Sequence, residues 1–452
     1  MNRASSANPA DSSPATTVEV IPGEAVHGAI RPPGSKSLTN RALLCAAMAE
    51  GTSVLSGTLE SEDTEVMIRS LRHIGVEVDS DAAAGTLQVG GIAGKPLVPA
   101  ADLYVANSGT TIRFLTALLS AAGGRYRLHG VERMHQRPIG DLIDALQPVL
   151  EGTAVAESSG GCPPVAIDSL GWRGGAIEVA GSVSSQYLSG LLLAAPLAHD
   201  PITIEVAGEL VSKPYVTMTC RLMEDFGVPV ARDEPTLRQF GIEAPSAYQP
   251  NDYTIEPDAS AASYFWASAA ITGGKVTVEG LHRQALQGDV GFVDVLARMG
   301  CQVEETDDSL TVIGGPLRGI DFDMNRLSDT VQTLAAVALF AEGPTTVRGV
   351  AHNRFKETDR IADLACELRK LGATVTETTD GLVIEPPATL PSDPPPVLET
   401  YDDHRMAMSL ALTGLRIPGV RIANPACTAK TYPNYFRDLE ELIGRPHRWH
   451  SA

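Results

Sequence analysis

At 452 residues the chain is too long for one ordinary core and requires two domains or an array of repeats. A hydrophobic share of 43 % describes a globular chain, and the absence of any run of eighteen apolar residues removes membrane-spanning readings. A formal net charge of −20 argues against nucleic acid as a partner, because counterion-releasing contacts need a basic face; any site for an anion must be a local exception.

In chain order, residues 1–16 are polar and rich in Ser, Ala and Pro, with neither a basic n-region nor an apolar h-region. They read as a disordered tail without a secretory signal. A strand is expected from Thr17 to Ile21. Next, Gly34-Ser35-Lys36-Ser37-Leu38-Thr39-Asn40-Arg41 places a glycine turn, hydroxyls, a lysine and an arginine at a helix start, stiffened by Pro32 and Pro33 and continued by the apolar run Ala42 to Met48. The free N–H groups of that first turn point where Lys36 points, which suits a phosphate or carboxylate. A nucleotide-binding P-loop is excluded, since Ser35 separates Gly34 from Lys36. An ordinary capped helix accounts for this segment equally well.

The same unit recurs along the chain: a polar cluster, an Ala/Leu-rich helix, a strand, a loop, an amphipathic helix, then a glycine and a β-rich strand. Clusters begin near Ser35, Asn107, Ser184, Asp258, Asp329 and Asp403, at intervals of roughly 72, 77, 74, 71 and 74 residues. Gly75, Gly152, Gly227, Gly300, Gly372 and Gly444 are expected to end the second helix of each copy. A period this long is no solenoid unit. It predicts an α/β fold of six βαβαββ-type repeats, three per domain, with helix N-termini turned toward the interdomain cleft. The Pro-bearing stretch Ala244 to Asn251 divides copies three and four, so the first domain is set at 34–250 and a discontinuous second domain at 17–33 and 251–445. The last copy reads as cut short after Gly444, with the strand at Thr17 completing its sheet. Six scattered cysteines without zinc-like spacing point to reduced thiols in a cytoplasmic protein.

The clusters carry donors for an oxygen-rich ligand: Asn107 to Arg113, and Gly181 to Gln186. Loops before the second helices add Arg133 to Pro138, Ser212-Lys213-Pro214-Tyr215, His352 to Arg360 and Cys427 to Thr431, while Tyr401 to Met406 lies at the last cluster. Plain helix capping explains single Ser and Asn residues, not this density of donors; Lys356, Asp359 and Arg360 alone would pass for a surface ion-pair ladder.

Taken in order, Gly34-Ser35-Lys36-Ser37 with Asn40-Arg41, Asn107 to Arg113, Arg137-Pro138-Ile139-Gly140, Gly181 to Gln186, Ser212 to Tyr215, Lys356 to Arg360, Asp403-His404-Arg405-Met406 and Thr428 to Thr431 resemble the motifs of the 5-enolpyruvylshikimate-3-phosphate synthases, enolpyruvyl transferases of the shikimate pathway. The resemblance runs from about Val18 to Ile443. It implies two domains joined by crossing strands, and transfer of the enolpyruvyl group of phosphoenolpyruvate to the 5-hydroxyl of shikimate 3-phosphate through a tetrahedral intermediate, without metal or organic cofactor. By motif, Lys36, Ser37, Arg41, Ser184, Ser185, Gln186, Ser212, Tyr215, Asp329, His352 and Lys356 would hold shikimate 3-phosphate. Lys36, Gly109, Arg137, Gln186, Arg360, Arg405 and Lys430 would surround phosphoenolpyruvate. Asp329, Glu357 and Lys36 would be catalytic, with Asp329 taking the hydroxyl proton and Glu357, with Lys36 or Lys430, serving C3; the two carboxylate roles are interchangeable at this stage. Partners would be the two small substrates, with no nucleic acid or membrane, and the protein a monomer. The basic cluster is expected to hold the domains apart until substrate bridges them.

Two positions depart from the family pattern. His352 stands where the best-known branch has asparagine, and Phe114 where it has a proline behind the phosphoenolpyruvate site, leaving the degree of sensitivity to the family inhibitor glyphosate open. The rival transferase acting on UDP-N-acetylglucosamine usually carries a reactive loop cysteine and lacks the Lys-Glu-Thr-Asp-Arg motif. A non-catalytic anion-binding protein would not place Asp329 and Glu357 beside its cations.

Overall fold

The computed structural model describes residues 17–81, 84–393 and 395–451, so the expected tail at 1–16 lies outside the described residues. Each copy contributes two helices: α1 (Lys36–Met48) and α2 (Glu62–His73), α3 (Gly109–Ala122) and α4 (Gly140–Leu146), α5 (Ser185–Ala194) and α6 (Lys213–Asp225), α7 (Ala259–Thr272) and α8 (Phe292–Met299), α9 (Val331–Ala338) and α10 (Arg360–Lys370), α11 (His404–Ala411) and α12 (Tyr435–Ile443). In five copies the polar cluster supplies the N-cap of the first helix: Ser35, Ser108, Ser184, Asp258 and Asp403 each accept a hydrogen bond from a first-turn backbone N–H. Asp329 does not cap. It lies in a 3-10 turn, Asn325–Thr330, that runs into α9, and its carboxylate binds arginines instead. The first helices are buried around most of their circumference, whereas the second ones, such as α8 and α12, bury a single stripe.

Gly75, Gly227, Gly300, Gly372 and Gly444 follow the second helices with φ between +68° and +116°, the left-handed conformation that ends a helix cheaply only with glycine. The expectation for Gly152 is corrected. α4 ends at Leu146, and Gly152 sits six residues on, at an irregularity in the strand Leu150–Ser158. A Cβ there would stand 2.1 Å from the Asp168 carbonyl oxygen, so this glycine serves a bulge, not a helix end.

Copies two, three and five each form a four-stranded sheet. The strand ahead of the first helix pairs parallel with the strand after it, and the last two strands add an antiparallel hairpin. Strand Ile202–Ala207 alternates buried and exposed residues, as a half-buried strand must. Copies one and four exchange their leading strands. Asp252–Thr254, beyond copy three, pairs parallel with Thr52–Ser56 of copy one, while His27–Ile30, ahead of copy one, pairs parallel with Lys275–Glu279 of copy four. In copy six, Thr17–Glu19 lies between Arg421–Ala423 and Arg448–His450, antiparallel to both. The last copy is therefore not cut short at Gly444: Arg448–His450 continues it, and Arg448 and His450 both reach Glu19.

Two clusters of buried apolar side chains result. One runs from Leu38 to Ile255; the other takes Val18, Val20 and Val26 and then Ala259 to Ile443. Between them the chain crosses twice, and the crossings touch: Ser35 N donates to Glu256 O and Asp258 N to Pro33 O, both at 2.8 Å. A Cβ on Gly34 would come 1.9 Å from the Gly57 carbonyl oxygen, so only glycine passes here. Asp258 Oδ1 accepts from Ala261 N at 2.8 Å and Oδ2 from Lys36 N at 3.2 Å. One carboxylate thus serves the first turns of α7 and α1, one helix on each side.

Candidate active site

Five of the six first-helix starts open on one narrow cavity. Lys36 of α1, Gly109 and Thr110 of α3, Gln186 of α5, Asp329 before α9, and His404 and Arg405 of α11 line it, joined by Asp63, Arg137, Lys356, Glu357 and Arg360. Its free volume is only about 20 Å³, because the side chains fill it with their own ion pairs. A wider pocket of about 660 Å³ adjoins it, sharing Glu357 and carrying Lys430.

Arg360 is the centre of the arrangement. Its guanidinium is 2 % exposed and meets three carboxylates: Asp403 at 2.7 Å, Glu357 at 2.9 Å and Asp329 at 3.6 Å. Asp403, the N-cap of α11, is itself buried, and together these carboxylates raise the Arg360 pKa above its ordinary value although burial opposes them. Arg405 Nη2 lies 2.6 Å from Asp329 Oδ2, and Lys430 Nζ lies 3.0 Å from Glu357 Oε1, with Arg137 4.0 Å from the same oxygen. Burial would raise both carboxyls. For Asp329 it is outweighed by Arg405, Lys356, Arg360 and Lys36, and for Glu357 by Lys430, Arg360 and Arg137, so both sit well below the usual carboxylate range.

Gly109 explains itself by contact: a Cβ there would stand 2.4 Å from Arg137 Nη2 and 2.9 Å from Arg113 Nη1. Arg137 is fixed by the Asn107 carbonyl at 3.0 Å, and Arg113 holds Gln186 Oε1 at 2.6 Å while Gln186 Nε2 donates to Thr110 Oγ1 at 3.2 Å. Lys36 Nζ pairs with buried Asp63 at 3.5 Å. Burial lowers the Lys356 amine to about 8, with Arg360 also lowering it.

A second group lies beside this cavity and meets it at Asp329. Tyr215 Oη lies 3.2 Å from Asp329 Oδ2, and Ser212, in the left-handed conformation, places its Oγ 3.3 Å from His352 Nε2. Burial, then Lys356, lowers His352 to about 3, so it is neutral. Arg41 is 2 % exposed and bonded to Thr219 Oγ1 at 2.7 Å and to the Ser37 carbonyl at 2.9 Å. Phe114 lies under the Arg41 guanidinium, its ring centre 5.1 Å from the guanidinium carbon, so its bulk bears on this second group. Ser184 caps α5, and Ser185 is buried at its first turn.

The two halves touch across the cleft, in a closed arrangement. Arg133 donates to the Lys356 and Glu357 carbonyls at 3.1 and 3.0 Å, Lys430 to the Asn107 carbonyl at 2.9 Å, and Ser212 N to Asn325 Oδ1 at 3.0 Å.

Several residues of the site are absent from the sequence-derived set: Asp63, Arg113, Arg133, Asp289, Asp403 and His404. Arg113, Arg133, Asp403 and His404 lie inside stretches that were singled out. Asp63 and Asp289 are marked only by register, since both stand at the start of a second helix, where the other four copies place Arg137, Ser212, Glu357 and Lys430. His404 is 1 % exposed, neither ring nitrogen has a hydrogen-bond partner among the described residues, and burial with Arg405 keeps it neutral.

Residues 20–439 match the family model described as EPSP synthase (3-phosphoshikimate 1-carboxyvinyltransferase). A curated relative from Nostoc punctiforme, named 3-phosphoshikimate 1-carboxyvinyltransferase, is 48 % identical over 92 % of this chain and 97 % of its own. The chloroplastic protein of that name from Arabidopsis thaliana is 45 % identical over 95 % of this chain and 85 % of its own. Among solved structures, EPSP synthase from Acinetobacter baumannii superposes with a TM-score of 0.78 at 27 % identity, covering 96 % of this chain and 99 % of that one. The enolpyruvyl transferase NikO from Streptomyces tendae shares the fold, with a TM-score of 0.77 at 21 % identity over 97 % of this chain and all of that one.

Proposed function

The chain belongs to the EPSP synthase family, and on that premise we propose how its own side chains perform the reaction. The protein is a 3-phosphoshikimate 1-carboxyvinyltransferase of the shikimate pathway, with the two-domain enolpyruvyl transferase fold. It moves the enolpyruvyl group of phosphoenolpyruvate to the 5-hydroxyl of shikimate 3-phosphate and releases phosphate. The observation that carries the residue-level reading is Arg360, which touches both Asp329 and Glu357 and so ties the two carboxylates to one cation.

In this reading, Lys36, Arg137, Arg360, Arg405 and Lys430 take the phosphate and carboxylate of phosphoenolpyruvate, with Gly109 giving room for Arg137 and Gln186 lying between the ligands. Lys36, Ser37, Arg41, Ser184, Ser185, Ser212, Tyr215, His352 and Lys356 take shikimate 3-phosphate. An entering anion competes with Asp329 and Glu357 for the same arginines and lysines. That exchange releases the carboxylates from the cations that hold them ionised and raises their basicity at the moment of need. Asp329 accepts the 5-hydroxyl proton as the new C–O bond forms at C2. Lys430 and Glu357, 3.0 Å apart, share the proton that C3 takes up in the addition and gives back in the elimination.

We further read 34–250 as the first domain and 17–33 with 251–445 as the second, and the protein as a cytoplasmic monomer serving only its two small substrates. Phosphate release with phosphoenolpyruvate and shikimate 3-phosphate, against UDP-N-acetylglucosamine as acceptor, tests the acceptor; glyphosate should compete with phosphoenolpyruvate. Asp329→Ala and Glu357→Ala should each lower kcat by about 10² or more with shikimate 3-phosphate affinity nearly intact. Full turnover in either variant removes that residue from the mechanism.

A further inference from the structure

We infer that Asp289 is a positioning residue for this reaction: by drawing the Tyr215 hydroxyl onto itself, it leaves the lone pair of Asp329 Oδ2 that Arg405 does not engage open to accept the proton of the substrate hydroxyl. The inference rests on the role of Asp329 given above.

Asp289 lies in the 3-10 turn Gly288–Gly291 ahead of α8 and is 3 % exposed. Its Oδ2 accepts from Tyr215 Oη at 2.8 Å and also from Ser260 Oγ, while Oδ1 is buried without a partner among the described residues. Tyr215 Oη lies between two carboxylates, 2.8 Å from Asp289 and 3.2 Å from Asp329. A phenol has one proton and serves one acceptor at a time, and the shorter distance assigns it to Asp289.

Two states of Asp289 then differ at Asp329. With Asp289 ionised, Tyr215 and Ser260 both donate to it, and Asp329 loses a competitor for its lone pair while gaining a second negative charge nearby, which raises its proton affinity. With Asp289 protonated, its own O–H donates to Tyr215 Oη, the phenol turns to Asp329, and the lone pair that should receive the substrate proton is occupied. The groups facing Asp289 are Tyr215 on α6, Ser260 on α7, Asp329 ahead of α9 and Arg405 on α11. Burial, then Asp329, raises the Asp289 carboxyl to about 6 against the other three, so the changeover falls within the working range of an assay. Paired carboxylates whose surroundings push them apart in this way are a common sign of divided roles.

The test is kcat of the full-length enzyme with both substrates saturating, from about pH 5 to about pH 8. The wild type should lose kcat on the acid side with a one-proton slope. Asp289→Asn, which mimics the protonated acid, should lower kcat about three- to tenfold at the upper end and abolish the acid-side fall, with KM for shikimate 3-phosphate changed less than about twofold. In a Tyr215→Phe background, Asp289→Asn should add nothing further. Ser260→Ala is the milder variant: it removes a donor to the ionised carboxylate and should move the acid midpoint upward, even if Asp289→Asn yields no folded protein. A wild-type pH profile in Asp289→Asn, full additivity with Tyr215→Phe, or an unmoved midpoint in Ser260→Ala would overturn the inference. Asp329→Ala in the same buffers separates the readings. If it is active, the role of Asp329 fails; if it is inactive and Asp289→Asn is silent, only the role of Asp289 fails.

Discussion

Replacing Glu357 with glutamine keeps the shape of the side chain and removes its charge from a place where Arg360, Lys430 and Arg137 stand 2.9, 3.0 and 4.0 Å away. All four side chains are at most 8 % exposed, so the orphaned cations cannot rehydrate where they are. Removing one partner of a buried ion pair costs about 3–5 kcal/mol. Arg360 keeps Asp403 at 2.7 Å, which places this variant toward the lower end, about 3 kcal/mol. For a cooperative unit of ordinary domain size each kcal/mol moves Tm by about 2–4 °C, so Tm should fall by about 6–12 °C. Scanning calorimetry in phosphate-free buffer measures this. Repeating the scan with added inorganic phosphate tests the cause, because a bound anion can stand in for the lost carboxylate; the variant should gain more Tm from phosphate than the wild type does. A fall of less than about 2 °C, or an equal phosphate response in both proteins, would refute Glu357 as the counter-ion of this cluster.

Other outcomes are expected on the same grounds. Gly109→Ala puts a Cβ 2.4 Å from Arg137 Nη2 and must displace it, so KM for phosphoenolpyruvate should rise about tenfold while that for shikimate 3-phosphate barely moves; steady-state kinetics with each substrate varied checks this. Arg133→Ala removes two hydrogen bonds across the cleft, and solution scattering should show a larger radius of gyration than the wild type in the same buffer. His352, lowered from 6.5 to about 3, takes up its proton first in the unfolded state, so its contribution to stability is whole above about pH 6.5 and is lost as pH falls toward 3. Asp329 and Glu357, held below their unfolded values, add a loss at still lower pH, whereas Asp289, raised from 3.8 to about 6, works in the opposite sense as pH rises between those values. Melting temperatures measured from about pH 7 to about pH 5 should fall in the wild type and fall less in His352→Asn.

The periodic features were legible because they are local. Ser35, Ser108, Ser184, Asp258 and Asp403 lie beside the helices they cap, and a cap needs no distant partner to declare itself. Pairings were less legible. The expected crossing strands exist, but that Asp252–Thr254 joins Thr52–Ser56 depends on a contact some two hundred residues apart in sequence, which no window of residues contains. Gly152 misled because a glycine marks a bulge as readily as a helix end. Phe114 carries no sign of direction in its sequence position; only the packed helix turns its ring toward Arg41. Asp63 and Asp289 are hidden for another reason: Asp63 lies in an acidic stretch that passes for an ordinary helix start and Asp289 has no charged neighbour, so only their register relative to the other copies marks them.

The exchanged leading strands make the two halves poor candidates for separate lives. A polypeptide ending at Pro250 would carry His27–Ile30, an edge tailored to a sheet it does not own, and would leave Thr52–Ser56 bare where Asp252–Thr254 should lie. The complementary fragment would be missing the reciprocal tab. Each orphan would display unpaired backbone along a sheet margin and recruit whatever chain it met, its own kind included. Mixed together, the two fragments are each other's missing edges, so a nick at this point should be tolerated in the assembled molecule although neither piece survives alone.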